Sequence, residues 1–169
     1  NLLDATNAFA EVVTDEAELQ GLPDDARQAA REAAAKEGKD GWKFTLHMPS
    51  YLPVLQYADS RRLRAALYRA YATRAAEFGA PEMDNTPLIR RILELRREEA
   101  ELLGYASFAE VSLVPKMAES VPQVLDFLRD LAVKARPFAE RDIADLRAFA
   151  REELGIEEME AWDVAYVSE

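Results

Sequence analysis

The chain has 169 residues, of which 49% are hydrophobic and only 14 are glycine or proline, a composition typical of one globular domain and not of a disordered chain. Its formal net charge of −11 argues against a nucleic-acid-binding surface, which needs a basic stripe. Cysteine is absent, which excludes disulfides and thiolate metal sites and fits a reducing, cytoplasmic location. No apolar run approaches the ~18 residues of a membrane span, and no signal peptide is visible, so we expect no membrane partner.

The N-terminal third combines short helices with one pair of strands. Residues 1–9 resemble the end of a helix, and a second, alanine-rich helix is predicted from Pro23 to Gly38. Apolar and polar side chains alternate along 42–48, which is the period of two typical of a strand. The β-branched stretch 11–14 is the one candidate partner for it. The sequence therefore predicts a small antiparallel ribbon of about 11–14 with 42–48.

The middle of the chain is predicted to be helical. Pro49 and Pro53 are expected to delay the next helix to 54–58, and a further helix covers 60–78. Thr86 begins the following helix and Gly104 ends it, and the Ser-x-x-Glu pattern from Ser107 caps a short helix after that. We expect the apolar residues of the 86–103 helix to face inward; these are Leu88, Ile92, Leu95, Leu102 and Leu103.

The longest predicted helix covers about 120–154. Ser120 and Gln123 form a capping box at its start, and Gly155 ends it. Apolar residues recur at a spacing of three or four along its whole length. Pro137 should kink the helix or split it in two. The predicted fold is mainly α, a helical array with one long kinked helix and one small antiparallel ribbon.

The residues taken by themselves indicate no active site. His47 is the sole histidine, on the polar side of a predicted strand, and without nearby carboxylates it is more simply an exposed residue than a metal ligand or base. No G-x-S-x-G elbow and no glycine-rich phosphate loop are present. Carboxylates alternate with arginines at helical spacing, which is typical of a solvated helix face. We predict no catalytic, cofactor-binding or metal-binding residue in this chain.

Aromatic residues give the remaining candidates for a ligand site. They cluster in two groups, Tyr51, Tyr57, Tyr68 and Tyr71, and Trp162 and Tyr166. At helical spacing such residues belong more often to a core than to a binding site. A ligand-binding bundle and a free-standing helical scaffold or protein-interaction domain without catalytic activity both remain as alternatives.

Six stretches in order along the chain resemble the thimet oligopeptidase and oligopeptidase A family of zinc metalloendopeptidases. They are TDEAELQGLP (14–23), MPSYLPVLQYA (48–58), LYRAYATRAAEFG (67–79), DNTPLIRRILELRREEAELLGYASFAEVSL (84–113), KMAESVPQVLDFLRDLA (116–132) and WDVAYVSE (162–169). One departure is Val167, where the family commonly has a second aromatic after the tyrosine of W-D-x-x-Y. The family's H-E-x-x-H zinc helix does not occur in these residues.

The resemblance implies an internal fragment of a larger, two-domain peptidase that binds zinc in a deep channel and hydrolyses short peptides. Residues 1–58 would be the helical and ribbon part of the channel wall, and 59–169 the start of the peptidase-family helical module. The segment would be structural and inactive alone, with its zinc and catalytic residues elsewhere in the parent. Its partners would be the rest of that peptidase chain and, for the parent, short peptides.

The chain begins at Asn1 and ends at Glu169, within an aromatic-rich segment. Both ends look cut, as expected for a fragment. Side chains that pack on absent parts of the parent should then be exposed, and we expect this of Leu2, Leu3, Phe9, Trp162 and Tyr166.

Overall fold

The computed structural model describes all residues from Asn1 to Glu169. They form eight α-helices, a two-stranded sheet and two short 3-10 helices. In chain order the elements are α1 (Leu2–Ala8), β1 (Glu11–Val13), a 3-10 helix (Glu16–Leu19), α2 (Asp24–Ala35), β2 (Trp42–Phe44), α3 (Met48–Tyr57), α4 (Arg61–Ala72), a 3-10 helix (Pro81–Met83), α5 (Thr86–Leu102), α6 (Phe108–Leu113), α7 (Val121–Glu152) and α8 (Val164–Val167). The predicted mainly α fold is confirmed.

The chain divides into two units. Unit 1 comprises Asn1–Asn85 and Leu146–Glu169, and unit 2 comprises Thr86–Asp145. Helix α7 contributes its first 25 residues, 121–145, to unit 2 and its end to unit 1. No helix combines the length and the apolarity needed to cross a membrane.

The predicted antiparallel ribbon is present in unit 1. Strand β1 pairs with β2 in a register that places Val12 opposite Lys43. Gly41 precedes β2 with φ +98°, and a Cβ at this position would lie 2.2 Å from the carbonyl oxygen of Val13, so only glycine fits here. Strand β2 ends at Phe44, earlier than the alternation predicts, because the backbone N–H of Thr45 donates to Ser50 Oγ instead of to a strand.

Helix α3 begins at Met48, so the prediction that the prolines delay the helix to residue 54 is wrong. Pro49 lies in the first turn, where a missing N–H costs little. Pro53 lies inside the helix, and the burial of Tyr51, Val54 and Leu55 outweighs the hydrogen bond it loses. Tertiary packing therefore outweighs the tendency of the two prolines to interrupt the helix.

Unit 1 has a continuous hydrophobic core. The ribbon, α2, α3 and α4 all contribute to it, and its largest fully buried apolar side chains are Leu19, Phe44, Leu46, Val54, Leu63 and Leu67. Helix α2 presents Ala30 and Ala34 to the interior, and these small side chains let its backbone lie close to its neighbours. Helix α4 starts after Ser60, whose hydroxyl accepts from the N–H of Leu63, and it ends at Ala72, six residues before the predicted end.

Unit 2 has well-capped helices and almost no core. Ser107 Oγ accepts from the N–H of Glu110, and Ser120 Oγ accepts from that of Gln123, which confirms the serine hydrogen bond of each predicted capping box. Ala100 is the one buried residue of this unit. The prediction that the apolar residues of the 86–103 helix face inward is therefore wrong, since all five are exposed: Leu88, Ile92, Leu95, Leu102 and Leu103. Their spacing defines a face, but no other part of the chain covers it.

Helix α7 is a single helix of 32 residues with Pro137 inside it, so the proline does not split it. Every residue from 125 to 142 is exposed. Of the side chains expected to be exposed near the chain ends, Leu2 and Leu3 are exposed. Phe9, Trp162 and Tyr166 are half-buried. Phe9 packs against the core of unit 1.

Candidate functional site

A buried carboxylate, that of Asp163, lies just before α8. Asp163 is fully buried, and so is the guanidinium group of Arg64. Arg64 Nη2 donates to Oδ1 of Asp163 at 2.8 Å, and Arg61 Nη2 donates to Oδ2 at 2.7 Å. The backbone N–H of Glu160 donates to Oδ2 at 3.0 Å. These four residues form what we call the Asp163 cluster.

The two arginines of the Asp163 cluster also fix the backbone around it. They lie one turn apart at the start of α4, so both side chains reach the same carboxylate. Arg61 Nη2 donates to the carbonyl of Glu158 at 2.6 Å, and Arg64 Nη1 donates to that of Ala58 at 2.6 Å. The cluster therefore joins the α3–α4 connection to the segment that leads into α8.

The Asp163 cluster is suited to holding structure and not to moving protons. Burial alone would raise the pKa of Asp163, but the hydrogen bonds from Arg61 and Arg64 outweigh it and hold the pKa below its usual value. Because both carboxylate oxygens already accept strong hydrogen bonds, neither is free to take a proton from a substrate near neutral pH.

The rest of the WDVAYVSE stretch adds contacts to the same helices. The Tyr166 ring lies 4.0 Å from the Arg64 guanidinium, and its hydroxyl donates to Asp59 Oδ1 at 2.8 Å. Tyr57 donates to Glu169 Oε1 at 2.7 Å, and this hydrogen bond raises the pKa of Tyr57. Val167, where the family commonly has an aromatic, is buried. The stretch as a whole anchors α8 to α3 and α4.

The tyrosines of the first predicted cluster separate into packing roles. Tyr51 and Tyr71 stack with centroids 4.5 Å apart, and the Arg74 guanidinium lies 3.5 Å from the Tyr71 centroid. Arg74 Nη1 also donates to Thr6 Oγ1 at 2.8 Å, which ties α1 to α4. Burial raises the pKa of Tyr51 to about 12. Tyr68 meets the ring of Trp162 edge to face. Four of the predicted aromatics thus pack against one another or against the core.

A groove of about 500 Å³ lies beside α8 in unit 1. Its apolar side is formed by Leu146, Phe149 and Leu154, and its polar side includes Tyr57 and Glu169. Within the groove Tyr57 donates to Glu169, so these two polar groups satisfy each other.

The residues present do not fit a zinc ion. His47 lies exposed directly before α3. No group of three or more histidine, aspartate or glutamate side chains converges to hold a metal. A catalytic zinc needs three protein ligands, and these residues do not bring three together.

Comparison with known proteins agrees with the resemblance noted in the sequence. A family model described as peptidase family M3 matches residues 54–169. Oligopeptidase A of Salmonella typhimurium is 51% identical over the whole chain. The chain belongs to peptidase family M3. Peptidases of this family hydrolyse peptide bonds and are zinc-dependent in general.

Other M3 relatives are more distant. The dipeptidyl carboxypeptidase of Escherichia coli is 31% identical over 99% of the chain, and saccharolysin of Saccharomyces cerevisiae is 30% identical over 81% of it. The chain spans 25% of the length of Salmonella oligopeptidase A and 24% of the E. coli dipeptidyl carboxypeptidase.

The sequence points to the W-D-x-x-Y stretch through its resemblance to the family, but it does not predict the Asp163 cluster. Asp163 lies 99 residues from Arg64 and 102 from Arg61 along the chain, so no local spacing links them. The available signal was an arginine-rich start of α4, with Arg61 and Arg64 one helical turn apart, together with a carboxylate flanked by the apolar residues Trp162 and Val164.

Proposed function

We propose that this chain is a structural segment of a zinc-dependent oligopeptidase that hydrolyses short peptides. The observation that carries the proposal is the 51% identity to oligopeptidase A across the whole chain. Residues 54–169 match the family model as well, so the similarity is not confined to one motif. In this proposal zinc binds to the parent enzyme, outside these residues.

The segment is proposed to be inactive alone. The metallopeptidase helix His-Glu-x-x-His needs two histidines one turn apart, and this chain contains a single histidine. The buried carboxylate of Asp163 is paired with two arginines and serves to anchor α8.

The position of the segment in the parent follows the predicted division. Residues 1–58 form part of the wall of the substrate channel, and 59–169 begin the peptidase module. A wall of packed helices admits short, unstructured peptides and excludes folded proteins. The cysteine-free composition supports a cytoplasmic location.

A chimera tests the proposal. The chain would replace the matching 171 residues of Salmonella oligopeptidase A, and hydrolysis of a quenched fluorescent peptide would be measured with zinc present. We expect the chimera to cleave the peptide, and the 169-residue chain alone to show no turnover. A folded chimera without activity, or zinc-dependent turnover by the isolated chain, would contradict the proposal.

A further inference from the structure

One side of α7 is an apolar stripe with no covering in the chain. At roughly 100° per residue, the apolar side chains between 124 and 139 fall within an arc of about 160°. These residues, which we call the α7 stripe, are Val124, Leu125, Phe127, Leu128, Leu131, Ala132, Ala135, Phe138 and Ala139. All but Val124 are exposed.

The opposite side of α7 is polar, and its charged side chains form ion pairs with one another. Asp126 pairs with Arg129, Asp130 with Lys134, and Arg136 with Glu140. Val133, which is 72% exposed, is the one large apolar side chain on that side. The polar side therefore needs no further partner in water, whereas the apolar side chains of the α7 stripe remain uncovered.

Helix α5 also exposes apolar side chains. Residues 87–99 are all exposed, and six of them are apolar: Pro87, Leu88, Ile89, Ile92, Leu93 and Leu95. In water, helices of this length owe most of their stability to packing of an apolar face. Exposed contiguous apolar surface of this extent marks an interaction site.

The width of the α7 stripe favours one kind of partner. A single helix from a second copy would cover only the narrow seam of two positions per heptad, whereas a stripe of about 160° requires neighbours on several sides. Unit 2 lies wholly within the residues that match the M3 family model, and about three quarters of the relatives' length lies outside the match.

We propose that the α7 stripe is an intramolecular docking surface for apolar helix faces of the peptidase module that lie outside these 169 residues. The inference rests on the proposed function, because it takes the partner from the same M3 polypeptide. It adds an orientation: the α7 stripe packs inside the enzyme, and the ion-paired side carrying Val133 faces water.

Thiol labelling of matched variants tests this orientation. The chain has no cysteine, so Leu131→Cys and Val133→Cys each add one thiol to it. Both positions are exposed in the isolated chain, at 46% and 72%, and we expect both thiols to react there with a maleimide at similar rates. In the oligopeptidase A chimera, Leu131→Cys should react at least about tenfold more slowly than Val133→Cys. The chimera without an added thiol gives the background rate.

The labelling rates distinguish the possible partners of the α7 stripe. Equal rates at both positions in the chimera would overturn the inference, as would protection of both. Concentration-dependent protection of Leu131→Cys in the isolated chain would show that a second copy covers the stripe. If the chimera hydrolyses the peptide and both thiols react at equal rates, the proposed function stands and this inference is wrong. If Leu131→Cys alone is protected in a chimera that does not hydrolyse the peptide, this inference stands and the proposed function is contradicted. Should Leu131→Cys destabilise the chimera, slowed amide exchange over 125–142 in the unsubstituted chimera relative to the isolated chain answers the same question.

Discussion

Helices α4 and α5 carry similar patterns of apolar residues and meet different surroundings. Leu63 and Leu67 of α4 are fully buried in the core of unit 1. Leu88 and Ile92 of α5 stand at the same spacing, and they are 54% and 47% exposed. Both helices are amphipathic, so the pattern alone does not distinguish them. Amphipathic periodicity predicts which side of a helix favours burial. That side is buried only where a second element packs against it.

The same contrast applies to charge. In unit 1 the Asp163 carboxylate is removed from water and held by two arginines. In unit 2 the ion pairs of α7 are exposed at both ends and join neighbours along one helix. Removing one partner of the buried pair leaves an unpaired buried charge and should cost much stability. Removing one partner of an exposed pair should cost little, because solvent already screens the interaction.

The largest effect should come from removing the buried carboxylate. Asp163→Ala leaves the buried Arg64 without its ionic partner, and we expect the free energy of unfolding to fall by about 3–5 kcal/mol. Urea denaturation of the isolated chain measures it. Asp130→Ala, which removes an exposed carboxylate of α7, is the matched control and should change stability little. A loss below about 1 kcal/mol for Asp163→Ala would mean that the cluster does not hold α8 in place.

A pair of leucine truncations compares the two units directly. Leu67→Ala should lower the free energy of unfolding by about 2–5 kcal/mol, because it opens a cavity in the core of unit 1. Leu93→Ala, at a position 60% exposed on α5, should change it by less than about 0.5 kcal/mol. Denaturant midpoints of the two variants provide the measurement. Equal losses would show that α5 is packed in the isolated chain and that the contrast between the units is wrong.

Acid should weaken the Asp163 cluster by a smaller amount. The pKa of Asp163 is lowered in the folded chain, so its contribution to stability is present above the usual value of 3.8 and is lost as the pH falls through the lowered pKa. The stability difference between wild type and Asp163→Asn should therefore shrink between about pH 5 and pH 2. Urea midpoints across this range measure the difference. A difference that grows with acid would mean that the pKa is raised and that burial outweighs the arginines.

The smallest effect is expected on the polar side of α7. Arg136→Ala removes the partner of Glu140, an ion pair exposed at both ends, and should change stability by less than about 0.5 kcal/mol. Thermal unfolding by circular dichroism at low and high salt measures it. A larger loss that disappears at high salt would show that the ion pairs, and not helix propensity alone, support α7 in the absence of a partner.

Much of the local structure could be predicted because its causes are local. Alternation around Trp42 marked β2, and the hydroxyls of Ser107 and Ser120 marked two helix starts. Gly155 ends its helix with φ +64°, a conformation that other residues rarely adopt. Each of these features depends on residues only a few positions apart, so it can be predicted from the local sequence.

The errors came where distant contacts decided the result. Pro53 suggested a break, yet α3 continues through it because Tyr51 and Val54 are buried against other elements. The Asp163 cluster was not predicted, since its members lie about a hundred residues apart. The candidate site therefore had to be found in three dimensions, whereas the family could be identified from six short stretches.

The sequence by itself determined several helix starts, the pairing of the two strands, which side of each helix is apolar, and membership of peptidase family M3. Only the tertiary structure decided which of those apolar sides are covered and which carboxylate is buried. The physical reason is that capping and helical periodicity depend on neighbours three or four residues away, whereas burial depends on a partner surface. Unit 1 contains such partners for its helices, and the stripes of α5 and α7 have none among these 169 residues.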